Sequence, residues 1–114
     1  VKTLKIKLQK KSEAICNALD KYFGSSAEYK KPDGGIFVWV DMHKKVDTSR
    51  LYELALKDGV AINPGNEWSI NKSGRHKMRL CFGNPSIKEI DEGIKRLAII
   101  CRKEFGIPTK IANL

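Results

Sequence analysis

Five consecutive β-branched or aromatic residues, Ile36-Phe37-Val38-Trp39-Val40, stand directly after Pro32-Asp33-Gly34-Gly35. Such a run favours the extended backbone, because its side chains pack best on a pleated surface. The four residues before it read as a turn whose glycines are free to take positive φ. The run therefore predicts a strand, central in its sheet and covered on both faces. A strand needs partners, and the rest of the chain offers only short ones. These are Glu28 to Lys30, Val60-Ala61-Ile62 halted by Pro64-Gly65, and Lys77 to Phe82.

Helical periodicity accounts for most of the remainder. Over residues 3–23, Leu4, Leu8, Ile15, Leu19 and Tyr22 recur near helical spacing with lysines opposite, and Gly24-Ser25-Ser26 ends the pattern. Asp47 or Thr48 caps a second helix to about Asp58, with Leu51, Leu54 and Ala55 as its inner stripe. Gly59 stands where a helix-terminating glycine belongs. Ser86-Ile87-Lys88-Glu89 is a capping box. The helix it opens carries Ile87, Ile90, Ile94, Leu97, Ala98, Cys101 and Phe105 on one stripe, and Gly106 and Pro108 close it. The order α-β-α-β-β-α over 114 residues predicts one domain spanning 1–114. Its class is α+β (an α/β two-layer arrangement), with helices packed on a small three- to four-stranded sheet, antiparallel or mixed.

Charge and cysteine usage narrow the function. The net charge is +9, and residues 1–31 hold most of the excess, with eight lysines against three acids. Such a face can attract nucleic acid or can simply be well solvated. Aromatics are not interleaved with these lysines and no nucleic-acid motif is present, so nucleic acid is not the expected partner. No apolar run approaches the roughly 20 residues of a membrane span. The N-terminal Val1-Lys2-Thr3-Leu4-Lys5 does not resemble a signal peptide, and a first residue other than Met is what a fragment or processed chain would show. Cys16, Cys81 and Cys101 form no C-x-x-C pair and sit on apolar stretches, so they read as reduced core thiols of a cytoplasmic protein. His43 and His76 lack companions at metal-ligand spacing, and no metal site is expected.

Arg79 is the residue with a chemistry to explain. It lies within the apolar strand Met78-Arg79-Leu80-Cys81-Phe82. A buried guanidinium is costly without an anion. The residues alone leave three options: an internal salt bridge, the exposed side of an edge strand, or a receptor that holds a carboxylate bidentately.

Several pieces in order carry a resemblance that bears on this choice. They are Pro32-Asp33-Gly34-Gly35-Ile36-Phe37-Val38-Trp39, then Gly59-Val60-Ala61-Ile62-Asn63-Pro64-Gly65, then Met78-Arg79-Leu80-Cys81-Phe82, and last the helix Ile90-Asp91-Glu92-Gly93-Ile94-Lys95-Arg96-Leu97-Ala98. Their order and spacing resemble the C-terminal small domain of fold-type I, pyridoxal-phosphate-dependent aminotransferases of class I/II. The likeness runs from the first helix to about Ile100. It implies that Arg79 grips the substrate α-carboxylate, and that Gly34 and Gly35 let the chain pass close to the substrate. It also implies that Pro64 and Gly65 shape the pocket edge and that Trp68 takes the family's aromatic position.

The same resemblance implies what this chain lacks. The large domain supplies the Schiff-base lysine, the aspartate at the pyridine nitrogen, the ring-stacking aromatic and most phosphate ligands. Ser69-Ile70-Asn71-Lys72 looks superficially like the sequence around that lysine, but Lys72 falls in a variable loop. No catalytic residue is therefore expected here. Pyridoxal 5'-phosphate is expected in the full-length protein and not on this chain alone. The implied partners are an amino acid and a 2-oxo acid, the large domain of the same chain, and a second copy in a homodimer. The details look closest to the branch with aminoadipate- and kynurenine-type aminotransferases. That branch also resembles the effector domain of GntR-type (MocR-like) transcription regulators, the alternative function.

Overall fold

A computed structural model describes residues 2–32, 35–65 and 74–110, with side chains from residue 6 onward. Its elements in chain order are α1 (Lys2–Tyr22), β1 (Ala27–Tyr29), β2 (Phe37–Met42), α2 (Thr48–Lys57), β3 (Asn63–Pro64), β4 (Lys77–Cys81) and α3 (Ile87–Phe105). A single 3₁₀ turn, Gly24–Ser26, joins α1 to β1. The four strands form one sheet in the order β1-β2-β4-β3, and every pairing is antiparallel. This is the α+β arrangement expected, with the antiparallel form taken.

The helices lie on one face of the sheet. Val38, Val40 and Met42 of β2 and Met78 and Leu80 of β4 are buried there among Ile15, Leu19, Ile90, Ile94, Leu97 and Cys101. Burial of this apolar surface supplies the main stabilisation, about 25 cal/mol for each Å² removed from water. The other face has no helical cover among the described residues. Exposure alternates strictly along β2, and Trp39 is 55% exposed. The expected two-sided burial of this strand is therefore corrected. Every second residue packs, because the described helices supply only one covering layer.

Helix boundaries follow their local chemistry. The Asp47 carboxylate accepts the Ser49 N–H at 3.1 Å and starts α2. At the other end Gly59 takes φ +79°, its N–H donates to the Leu56 carbonyl, and the Val60 N–H donates to the Ala55 carbonyl at 2.8 Å. This double closure consumes residues 59 and 60. It explains why the strand expected over Val60–Ile62 begins only at Asn63. Arg96 of α3 donates to the Asp58 carbonyl at 2.8 Å, giving that motif arginine a structural task at the end of α2. On α3 the inner stripe starts at Ile90, whereas Ile87, in the first turn, is 48% exposed.

Side-chain hydrogen bonds lock the layers together. The Tyr22 hydroxyl donates to Asp91 of α3 at 2.8 Å. The Tyr29 hydroxyl, with one proton to share, lies 2.9 Å from the Asp20 carboxylate and 3.1 Å from the Cys16 carbonyl, fixing β1 against α1. Burial, then the neighbouring Asp20, pushes the Tyr29 hydroxyl well above its usual range, so it remains a donor. Burial also pushes the Cys101 thiol up to about 12. Cys16 and Cys101 are core residues as expected, but Cys81 is half-buried on the open face of β4.

The capping box of α3 gives a pH-dependent term. Glu89 accepts the Ser86 N–H at 3.0 Å, and the Ser86 hydroxyl accepts the Glu89 N–H at 3.1 Å. The Ser86 backbone bond, then its hydroxyl, holds the Glu89 carboxyl below its ordinary 4.5. A depressed folded-state value stabilises above the unfolded-state value, and the contribution is lost as pH falls through the folded one. Urea midpoints followed from about pH 6 to about pH 3 should fall less steeply in Glu89→Gln than in the parent. Identical slopes would show that the box has no part in acid sensitivity.

Candidate functional site

The open face of the sheet is set by strand parity. Because side chains alternate, Phe37, Trp39 and Asp41 of β2 share a face with Lys77, Arg79 and Cys81 of β4. Cross-strand register then places Arg79 between two neighbours. Trp39 pairs with it on one side and Asn63 of β3 on the other. Arg79 is thus on a central strand, not an edge strand, and it is half-buried on the face without helices.

Its guanidinium lies over aromatic rings. The Arg79 Cζ is 4.1 Å from the centroid of the Phe37 ring and 5.7 Å from that of Trp39. Ring faces carry negative quadrupole charge, so a cation at this distance is attracted. Phe37 sits diagonally from Arg79, opposite Cys81, so the guanidinium leans toward the start of β2. That end is the one approached from Gly35, which has φ +77° and, its chain neighbours aside, no atom of the described residues within 4 Å of the position a Cβ would take. Ile36 fixes it to β4, since its carbonyl accepts the Phe82 N–H at 2.8 Å. Gly34 lies outside the described residues, so of the two glycines singled out only Gly35 can be placed.

Pro64 and Gly65 lie on the β3 side of β4, both buried, and Pro64 pairs with Met78, a residue of the helix-covered face. Trp68 and Lys72 fall outside the described residues. Gly65 meets a residue that sequence reasoning missed, Gly74. A Cβ on Gly65 would stand 2.6 Å from the Gly74 carbonyl oxygen and 2.7 Å from that of Lys77. A Cβ on Gly74 would stand 2.5 Å from the Gly65 carbonyl oxygen. The two backbones touch where side chains cannot fit. Residues just after Gly74 are anchored as well. The buried Thr48 donates both its N–H and its hydroxyl to the Arg75 carbonyl at 2.9 Å, and the Met42 N–H donates to the His76 carbonyl at 2.8 Å.

His76, in the turn before β4, has a partner across the sheet. Its Nε2 lies 3.1 Å from the Asp41 carboxylate, across the end of the β2–β4 pair. Among the described residues no group of three or more His, Cys, Asp or Glu side chains could hold a metal ion. No described helix is long and apolar enough to cross a membrane.

A braced arginine on an open face has the shape and charge to meet an anion. Known proteins give this fold its context. The model of the family "Aminotransferase class I and II" matches residues 1–97. The chain belongs to that family. It is 38% identical over 98 residues to an uncharacterized aminotransferase of Saccharolobus solfataricus, covering 86% of this chain and 24% of that protein. It is also 32% identical over 97 residues to an uncharacterized HTH-type transcriptional regulator of Bacillus subtilis, covering 85% of this chain and 20% of that protein. Among solved structures, the alpha-aminoadipate aminotransferase of Thermus thermophilus, complexed with N-(5'-phosphopyridoxyl)-L-leucine, matches with a TM-score of 0.76 at 30% identity. That match covers 85% of this chain and 25% of the other. This aminotransferase-family chain thus spans about a quarter of the length of the relatives it matches. The resemblance read from the ordered motifs is borne out at the level of family and fold.

The glycine contact makes a prediction for stability. Gly74→Ala and Gly65→Ala should each lower stability by about 1–3 kcal/mol, read from urea midpoints, because a methyl group must displace backbone. The double variant should cost less than the two added together, since either methyl already separates the two backbone segments. Parent-like midpoints in both single variants would contradict the contact.

Proposed function

We propose that this chain is the C-terminal small domain of a pyridoxal-phosphate-dependent aminotransferase, and that Arg79 binds the substrate α-carboxylate. One observation carries this role: in a chain of this family, a half-buried arginine stands on the open sheet face with its guanidinium stacked on Phe37 at 4.1 Å. An arginine fork matches a carboxylate in shape and charge, and charge-assisted pairs are the stronger hydrogen bonds. A fixed carboxylate orients the α-carbon for reaction, which is a contribution of position rather than of bond chemistry.

The other site residues take supporting roles in this proposal. Gly34 and Gly35 bring backbone close to the bound molecule at the end of β2 toward which Arg79 leans. Pro64 and Gly65 form the pocket edge with Trp68. The substrates are an amino acid and a 2-oxo acid, and the amino group passes from one to the other.

The cofactor is a different matter. Pyridoxal phosphate needs an amine to hold it, an acid at its ring nitrogen and a cradle for its phosphate. Near Arg79 the open face presents Lys77, which is exposed, and Asp41, whose carboxylate is engaged by His76. These described residues do not fit the cofactor. We therefore assign its binding to a large domain of the same polypeptide, and expect this domain alone to carry out no transfer. The full-length protein is proposed to be a cytoplasmic homodimer.

A second reading is favoured by one observation, the 32% identity to a transcriptional regulator across nearly the same stretch. In a GntR/MocR-type regulator the same arginine would hold an effector amino acid without turnover. The enzyme is preferred because the aminotransferase relative is the more similar, at 38%.

Arg79→Ala in the full-length protein tests the proposal. KM for L-amino acids should rise about 100-fold or more, the loss expected for a charge-assisted bidentate pair. Pyridoxal phosphate absorbance of the purified variant should stay normal. A near-parental KM would remove Arg79 from the site.

A further inference from the structure

We infer that Phe37 is a positioning residue for Arg79, an aromatic shelf that helps fix the guanidinium before a carboxylate arrives. The inference rests on the carboxylate role proposed for Arg79 and adds a determinant of affinity beneath it. An arginine side chain has about 2 kcal/mol of rotamer entropy to lose, so a receptor arginine on an open sheet face gains from being held in place. Phe37 contributes to that hold. Its ring centroid is 4.1 Å from the Arg79 Cζ, the nearer of the two aromatic contacts.

Geometry makes the shelf compatible with ligand binding. A guanidinium is planar, and its five N–H donors lie in the plane. A ring stack engages the flat face, whereas a carboxylate engages the edge. Both can be made at once, so the shelf does not compete with the ligand. An aromatic ring also holds the arginine without cancelling its charge.

The shelf is itself firmly mounted. Phe37 is the first residue of β2, paired with Cys81 of β4 two positions beyond Arg79. The preceding Ile36 is bonded to Phe82, so the ring cannot drift away from the strand that carries the arginine. Its half-buried state on the face away from the core means that Phe37 is not required to fill the core itself.

The test uses the full-length protein loaded with pyridoxal phosphate, in three forms: Phe37→Leu, Phe37→Tyr and Arg79→Ala. Kd is measured by calorimetry for the best-bound member of a panel of L-amino acids and for its α-amide, which lacks the carboxylate. Phe37→Leu keeps an apolar side chain and removes the ring. It should weaken binding of the acid about three- to thirtyfold, the range of a cation–π contact, while leaving the amide nearly unchanged. Phe37→Tyr keeps the ring and should restore the preference for acid over amide.

A loss that is equal for acid and amide, or a Phe37→Leu variant that binds like the parent, overturns the shelf. If Arg79→Ala also leaves the acid-over-amide preference intact, the carboxylate role of Arg79 fails instead, and the shelf with it. No binding of any panel member has the same meaning. Should Phe37→Leu not fold, the Arg79 Nε–H resonance of the parent decides by itself. A ring-current shift to high field supports the stack, and an unshifted resonance refutes it.

Discussion

The antiparallel register between β2 and β4 is the constraint on which the site depends. It sets Trp39 opposite Arg79 and Phe37 one step diagonal, and it does so through main-chain bonds that are indifferent to side-chain identity. The same register sends Val38, Val40, Met78 and Leu80 into the core. Core and site are therefore two faces of one ladder. A slip of one residue would turn Arg79 into the apolar layer and Met78 out of it, which burial energy forbids. The hydrophobic core thus enforces the position of a residue on the opposite face of the sheet.

The second element of the site, the meeting of Gly65 and Gly74, depends on absence of side chains. Two backbones approach to distances that any Cβ would prevent. The pinch lies next to the pairing of Pro64 with Met78, so it adds a backbone contact to the short β3–β4 pairing. Thr48 extends the restraint by anchoring Arg75 to the start of α2. A two-residue strand would be marginal by itself, and here it is held from both ends.

What the sequence revealed and what it concealed divide along the range of the interactions. Caps, terminating glycines and helical stripes are local, and they were legible: the Ser86–Glu89 box and Gly59 appear as read, and of the two caps offered for α2 the structure takes Asp47. Arg79 was legible as a cation among apolar neighbours. Its shelf was not. Phe37 and Trp39 looked like core residues because a run of apolar residues gives no parity of exposure, and only the one-sided helical layer decides it. The same ambiguity placed Cys81 in the core. Gly74 was hidden in a polar segment, since nothing local marks a glycine whose partner is Gly65. The His76–Asp41 pair was hidden for a like reason, because it forms across strands.

The division between grip and chemistry bears on how one fold can sit in both enzymes and regulators. The stretch matched by the aminotransferase relative and by the regulator relative is nearly the same. Under the proposed function, what this stretch contributes is recognition of a carboxylate by a braced cation. That task is the same whether the bound amino acid is converted or only sensed. Turnover requires an amine and an acid placed around a cofactor, and the described amine and acid of the open face, the exposed Lys77 and the His76-engaged Asp41, do not fit that arrangement. An arginine shelf can therefore be kept unchanged while catalytic ability is gained or lost elsewhere in a longer polypeptide. Physical separation of the two tasks, rather than any feature of Arg79 itself, is what would allow one domain to serve both.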